Sequence, residues 1–282
     1  LKARDAGGEF ALDDLDRRDL RVALVDGDSG RAVLGGARAG AAGDDLVLHV
    51  ALPGMGVAAA ENDGAAAAAV GALVRPWWEQ AGVSLRTGMA VSAVDDDAVH
   101  LVSGESVPAD VVVVAIGVRP AVGFLAGSQV PVDDGVVVDA SLRAAERVWA
   151  VGDVAARWSH RYGVRIRGEH WDDAMHAPEV VAAGVLGGSA TYDPVPYIWS
   201  EQFGRMLQWC GRVDGAEHLV VRGDVSARSG WSLVWLRDDM VRAVLAVDRP
   251  HDAVQGRRLA TRGQPVDPAL VADSAVALKA AV

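Results

Sequence analysis

Three short segments carry residue types and spacings that can do chemistry. Gly117 closes the run VVVVAIGVRP, residues 111–120, just past an apolar stretch, where an open sheet lets backbone approach a ligand. Gly152 and Asp153 lie in VWAVGDVA, residues 148–155. There glycine lets the main chain come close and the carboxylate can accept hydrogen bonds from sugar or ribitol hydroxyls. A Gly-Asp turn capping a helix is the alternative. Glu169, His170 and Trp171 open EHWDDAMHAPEVVAAGVLGG, residues 169–188, where amides at a helix start can hold a polar ligand edge. Alternatively, Trp171 anchors a core and His170 is a satisfied surface residue. A fourth segment, RVALVDGDSGRA at 21–32, places Gly27 and Gly30 after an apolar strand in the manner of a phosphate loop. Its glycines lack the G-x-G-x-x-G spacing, and Asp26 and Asp28 stand where carboxylates would repel phosphate.

The elements that must position these residues follow from the apolar pattern. A strand at Val22–Val25, an Ala/Gly-rich helix near Arg31–Ala42 and the apolar strand LVLHVAL at 46–52 make a βαβ unit. A second helix is expected over about Ala65–Gln80, with Pro76 limiting its final part and Gly82 ending it. Residues 83–104 predict short alternating strands with polar turns, and ADVVVVAIG a parallel strand buried on both faces. VWAVGDVA reads as another buried strand, and the segment after Trp171 as a helix with a Gly-rich stop. The prolines and aromatics of YDPVPYIWSEQF, residues 192–203, predict a crossing between domains rather than a regular strand.

Composition bounds the function. The chain has 282 residues, which suggests about two domains, and its 51% hydrophobic content allows a sizeable core. A net charge of -11 argues against a nucleic-acid partner. The single cysteine, Cys210, excludes both an internal disulfide framework and a paired redox-active disulfide within the chain. The longest apolar stretch, GAAAAAVGALV, is too short for a bilayer and no signal peptide opens the sequence, so no membrane association and a cytoplasmic location are expected. The first residue is Leu, which suggests a trimmed or incomplete sequence.

Taken in order, VVVVAIGVRP, VWAVGDVA, EHWDDA and YDPVPYIWSEQF resemble the FAD-dependent, NAD(P)H-using ferredoxin and rubredoxin reductases of oxygenase systems. GWSLVWLRDDMVRAVLAVDRPHDAVQGRRLA, residues 230–260, is similar to that family's C-terminal domain. The resemblance is strong over about 80–282 and weaker over 21–79. It implies an α/β fold with an N-terminal tail at 1–19, a Rossmann-like NAD(P)-binding domain at 20–118, a partial flavin domain at 119–192 and a C-terminal α/β domain at 193–282. It also implies an enzyme that passes electrons from NAD(P)H through FAD to a ferredoxin- or rubredoxin-type iron-sulfur partner, with no acid-base pair or nucleophile of its own.

By the same resemblance, Asp153 beside Gly152 binds ribitol and Glu169 reaches the nicotinamide carboxamide. Trp171 and Trp199 border the isoalloxazine with His170 in the same turn, and Gly117 passes near the nicotinamide nucleotide. Gly27 and Gly30 fall in the nucleotide loop, where Asp26 and Asp28 replace glycines, and Val50 stands where a ribose-binding acid is usual. The family's first flavin segment, with its own Gly-rich loop, has no counterpart ahead of Arg21 in this sequence. These departures predict weakened FAD and NAD(P)H binding. They also keep open a non-catalytic binding or scaffold protein with the reductase fold. An NADH oxidase or nitrite-reductase-type flavoenzyme is a further alternative.

Overall fold

Short β-branched runs separated by glycine and aspartate turns dominate the chain, and they fold as small sheets. The computed structural model describes residues 22–26, 33–35, 64–115 and 118–282. These fall into two units: the described residues of 1–50 and 75–117 form the first, and those of 51–74 and 118–282 the second.

In the first unit, β1 (Val22–Asp26) pairs antiparallel with β2 (Val33–Gly35). Residues 33–35 are therefore strand where the Ala/Gly-rich composition predicts helix. Gly35 and Gly36 explain the difference, since each glycine costs a helix about 1 kcal/mol relative to alanine. The helix α1 (Gly64–Gln80), whose residues 64–74 are counted in the second unit and 75–80 in the first, runs through Pro76, and Gly82, at φ 80°, follows its end. A meander of β3 (Val91–Val94), β4 (Ala98–Leu101) and β5 (Ser106–Pro108) comes next; β3 and β4 fall in the alternating stretch at 83–104, and β5 lies just past it. Asp95 closes its first turn by accepting from the Asp97 and Ala98 amides at 3.0 and 2.8 Å. Alternation then buries Val99, Leu101 and Val107 together.

The apolar run at 109–117 supplies β6 (Val111–Ala115), which lies parallel to β1 with Val22 opposite Val111. Parallel pairing holds, but burial on both faces does not. Val113 and Val114 remain 43% and 45% exposed, because a parallel strand is buried twice only where a layer covers each face.

The second unit begins with β7 (Val136–Val138), the small hairpin β8 (Arg143–Ala145) and β9 (Val148–Trp149), then β10 (Ala155–Ser159) and β11 (Val164–Arg167). β10 pairs parallel with β7 and antiparallel with β11. VWAVGDVA is thus a half-buried strand of two residues, not a long buried one, since Gly152–Val154 turns the chain as a 3-10 helix before β10. The helix α2 (Trp171–Val185) follows. Its stop is a Schellman motif: Gly187, at φ 82°, donates to Gly184 and Gly188 donates to Ala183.

The C-terminal part is an antiparallel sheet of β12 (Tyr197–Gln202), β13 (Arg205–Gly211), β14 (His218–Arg222), β15 (Trp231–Arg237) and β16 (Met240–Val247), in the order 12-13-16-15-14. Tyr197–Gln202 is a regular edge strand, contrary to the crossing that its neighbouring prolines predict. Pro194 and Pro196 precede it and so remove no ladder donor from the strand. The helices α3 (Pro250–Arg262) and α4 (Pro268–Ala272) complete this part. Gly256 lets α3 approach closely, because a Cβ there would lie 2.5 Å from a Val244 methyl. Arg222 on β14 is buried at 1% exposure, pairs with Asp252 of α3 at 2.9 Å, and donates to the carbonyls of Val271, Asp273 and Val276. Among the described residues, no helix is long and apolar enough to cross a membrane.

Candidate functional site

The first turn of α2 gathers the predicted residues. His170 is its N-cap in extended backbone, with Nδ1 accepting from the Asp172 amide at 3.4 Å. Its Nε2 lies 3.5 Å from the Trp199 amide on β12. A neutral imidazole has one acceptor nitrogen, so only one of these contacts is a hydrogen bond at a time. Burial pushes the His170 pKa below its usual range, while the carboxylates of Asp172, Asp173 and Asp153 pull the other way.

Aromatic rings meet above this cap. Trp199 packs edge to face against His170 at 4.5 Å and Trp171 at 5.6 Å, and stacks on Tyr197 at 5.9 Å. The two indoles touch one another directly. Trp171 is 59% exposed, which rules out its reading as a core anchor.

The turn is braced from beneath. Asp173 accepts from the buried Arg157 at 2.7 Å and from the Tyr192 hydroxyl at 2.9 Å. The Arg157 guanidinium lies over the Tyr192 ring at 5.2 Å. Burial and the neighbouring carboxylate push the Tyr192 pKa up, so it stays a proton donor. Asp172 accepts from Arg257 of α3 at 2.7 Å. Gly168 is required by close approach, since a Cβ there would fall 1.7 Å from the Asp173 carboxylate.

Gly152 and Asp153 lie in the 3-10 turn that packs on α2. Gly152 adopts φ 69° with open space where a Cβ would stand, so the glycine serves the turn and not a tight protein contact. The Asp153 side chain is exposed and, among the described residues, its carboxylate has neither hydrogen bond nor salt bridge. Glu169 differs, because Arg167 holds its carboxylate. Arg167 also reaches Asp134 at 3.2 Å and the Asp153 carbonyl at 3.4 Å, tying the two predicted segments together. Sequence reasoning missed Arg167; its position two residues before Glu169 is the only local signal. Gly27, Gly30 and Gly117 lie outside the described residues. Among the described residues, no cluster of His, Cys, Asp or Glu could hold a metal ion.

An exposed carboxylate in the turn that packs on α2, with the exposed Trp171 and the half-buried Trp199 at that helix's start, suits a flat heteroaromatic ligand bearing hydroxyls. Comparison with known proteins gives the class. The profile described as pyridine nucleotide-disulphide oxidoreductase matches residues 63–181, and that described as reductase C-terminal matches 197–282. The chain belongs to this family, in the branch of ferredoxin reductases that carry the reductase C-terminal domain.

The anthranilate 1,2-dioxygenase system ferredoxin–NAD(+) reductase component of Burkholderia cepacia is 38% identical over 175 residues, 61% of this chain and 43% of that protein. Putidaredoxin reductase of Pseudomonas putida is 30% identical over 240 residues, 82% of this chain and 56% of that protein. Among solved structures, the ferredoxin reductase for the CYP199A2 system from Rhodopseudomonas palustris superposes with a TM-score of 0.70 at 30% identity, covering 76% of this chain and 55% of that one. The covalent putidaredoxin reductase–putidaredoxin complex gives 0.69 at 30% identity, over 74% and 52% of the two chains. The chain spans about half the length of the curated relatives it matches.

Proposed function

We propose that the protein passes electrons from NAD(P)H through FAD to a ferredoxin- or rubredoxin-type iron-sulfur partner of an oxygenase system. The observation that carries this reading is the contact between the exposed Trp171 and the half-buried Trp199 at the start of α2, with the exposed Asp153 carboxylate in the 3-10 turn that packs on that helix. FAD, when bound, would supply the conversion of a two-electron donor into single electrons. The residues of this chain would bind and orient it. Asp153 would accept hydrogen bonds from ribitol hydroxyls, and Trp171 and Trp199 would border the isoalloxazine and exclude water from it. His170, kept neutral by burial, would hold the turn without placing a cation beside the ring. Glu169 could meet a nicotinamide carboxamide only by sharing Arg167's hold or leaving it. Gly27, Gly30 and Gly117 would approach the nicotinamide nucleotide.

This reading keeps a nucleotide domain at 20–118, a flavin-domain remnant at 119–192 and a C-terminal domain at 193–282, with a cytoplasmic location. Weakened cofactor affinity is part of it, because Asp26 closes β1 at the edge of the nucleotide loop. That same feature favours the second reading, a binding protein that keeps the fold without turnover. Steady-state reduction of a ferredoxin by NADH, with FAD added to the chain, separates the two. Turnover that rises with FAD and falls in Trp171→Ala and Trp199→Ala supports the enzyme. Binding of the ferredoxin without turnover at saturating FAD and NADH supports the second reading.

A further inference from the structure

Within the second unit lies a cavity of about 470 Å³, lined by Tyr197, Ala253, Val254, Arg257, Arg258, Thr261 and Arg262. Its size is that of a small-molecule site. Its charge is unusual for this protein, whose net charge is -11: α3 carries Arg257, Arg258 and Arg262 and no acid after Asp252.

The three guanidinium groups are not equivalent. Arg257 is committed, pairing with Asp172 at 2.7 Å, donating to the Val195 carbonyl at 3.2 Å and covering the Tyr197 ring at 5.2 Å. Arg258 and Arg262 stand one helical turn apart on the same side of α3, exposed. Among the described residues neither has a hydrogen bond, ion pair or ring contact. Cations in a last turn are ordinarily explained by the carbonyls of a helix C-terminus. Here Arg161 already donates to the Ala260 and Thr261 carbonyls, at 3.0 Å each, and Gly263 donates to Leu259. Part of the negative end of α3 is therefore neutralised from elsewhere, and Arg258 and Arg262 are left to face the cavity.

Two guanidinium groups with no partner among the described residues match a dianion, and their fork geometry suits phosphate oxygens. The cavity is several times larger than a phosphate group, and Ala253, Val254 and the edge of Tyr197 give it an apolar wall. We propose that this cavity binds a phosphate monoester dianion of the nucleoside monophosphate kind, its phosphate held by Arg258 and Arg262 and its organic body against Ala253, Val254 and Tyr197. The cavity adjoins the proposed flavin site through the Tyr197–Trp199 stack, but none of its lining residues is one proposed to hold flavin, and it does not depend on that reading.

Titration calorimetry of the whole chain at low salt tests it with AMP, inorganic phosphate, adenosine and a glutamate-rich peptide. One AMP site is expected, with inorganic phosphate competing and adenosine binding at least tenfold more weakly. R258Q/R262Q should weaken AMP at least tenfold. Both arginines are exposed, so the variant should keep the wild-type melting temperature, which shows that the loss is local. AMP that binds equally to wild type and variant would be occupying a nucleotide site elsewhere, and would overturn the proposal. So would inorganic phosphate binding without AMP, equal binding of adenosine, or the absence of AMP heat at millimolar concentration. Binding of the acidic peptide alone, lost in the variant, would overturn it in favour of a protein-docking surface.

Discussion

His170 shows how one residue serves the local fold and the proposed site together. It caps α2 with a ring nitrogen while its ring face supports Trp199, and both tasks suit the neutral form. Its folded pKa is lowered by burial, so the folded state binds fewer protons than the unfolded chain below about pH 6.5. The stability it allows is present above that pH and is lost as the pH falls from there toward the lowered folded pKa. Urea midpoints at pH 8 and pH 5 should therefore differ more in the wild type than in His170→Asn, which keeps a capping side chain without titrating. Cys210 makes a second residue-scale case. It is fully buried, and burial pushes its thiol up to about 12. A thiol reagent should leave the native chain unlabelled at pH 8 and modify one site in denaturant. At the other end of the chain, the proposed nucleotide reading puts Asp26 and Asp28, by sequence position alone, where a phosphate would approach. At an effective dielectric near 20, repulsion between carboxylate and phosphate is on the order of a few kcal/mol at short range. Replacing both with glycine should strengthen NADH binding at least tenfold by fluorescence titration, and unchanged affinity would show that the loop is closed to phosphate for another reason.

At the scale of elements, what was legible followed periodicity and what was not followed context. The helix at 64–80, the strands β3 and β4 and the parallel strand β6 could be read from apolar runs and turn residues, whereas the pairing of β6 with β1 could not. The strand at 33–35 could not, because alanine and glycine content describes helix and loop equally and the pairing partner decides. β12 was hidden because Pro194 and Pro196, just before it, predict a crossing, while its own alternation is short. Ile198 is buried, while Tyr197 and Trp199 share the other face and stack. That alternation also brings Trp199 to His170, a meeting of residues far apart in sequence that no local pattern displays. Two substitutions test the C-terminal part. Arg222→Ala removes a buried ion pair and the donors to the segment at 271–276, although Arg249 and Ser232 still serve Asp252. A loss of about 3 kcal/mol in denaturant unfolding is expected. Gly211→Ala places a Cβ 2.0 Å from the Arg242 carbonyl oxygen at φ 87°. It should cost at least about 2 kcal/mol and shift the same transition.

For the molecule as a whole, the candidate site brings together residues that are scattered along the sequence. The family resemblance that VWAVGDVA and EHWDDA carry implied a flavin edge, and the structure gathers Asp153, Glu169, His170 and Trp171 around the start of α2 with Trp199 packed on Trp171. The Arg167 hold on Glu169 and the Arg157–Asp173–Tyr192 brace were hidden, because they depend on β10 and β11 passing under the helix. The central claim, that this cluster holds the ribitol and isoalloxazine of a flavin, is tested most directly by flavin fluorescence. The whole chain would be titrated into FAD, riboflavin and lumiflavin, which lacks the ribityl chain. Quenching by the aromatic pair is predicted for all three, with Trp171→Ala/Trp199→Ala weakening each at least tenfold. Asp153→Ala should weaken FAD and riboflavin and leave lumiflavin unchanged. Flavin emission unaltered at saturating protein, or quenching indifferent to all these substitutions, would contradict the account.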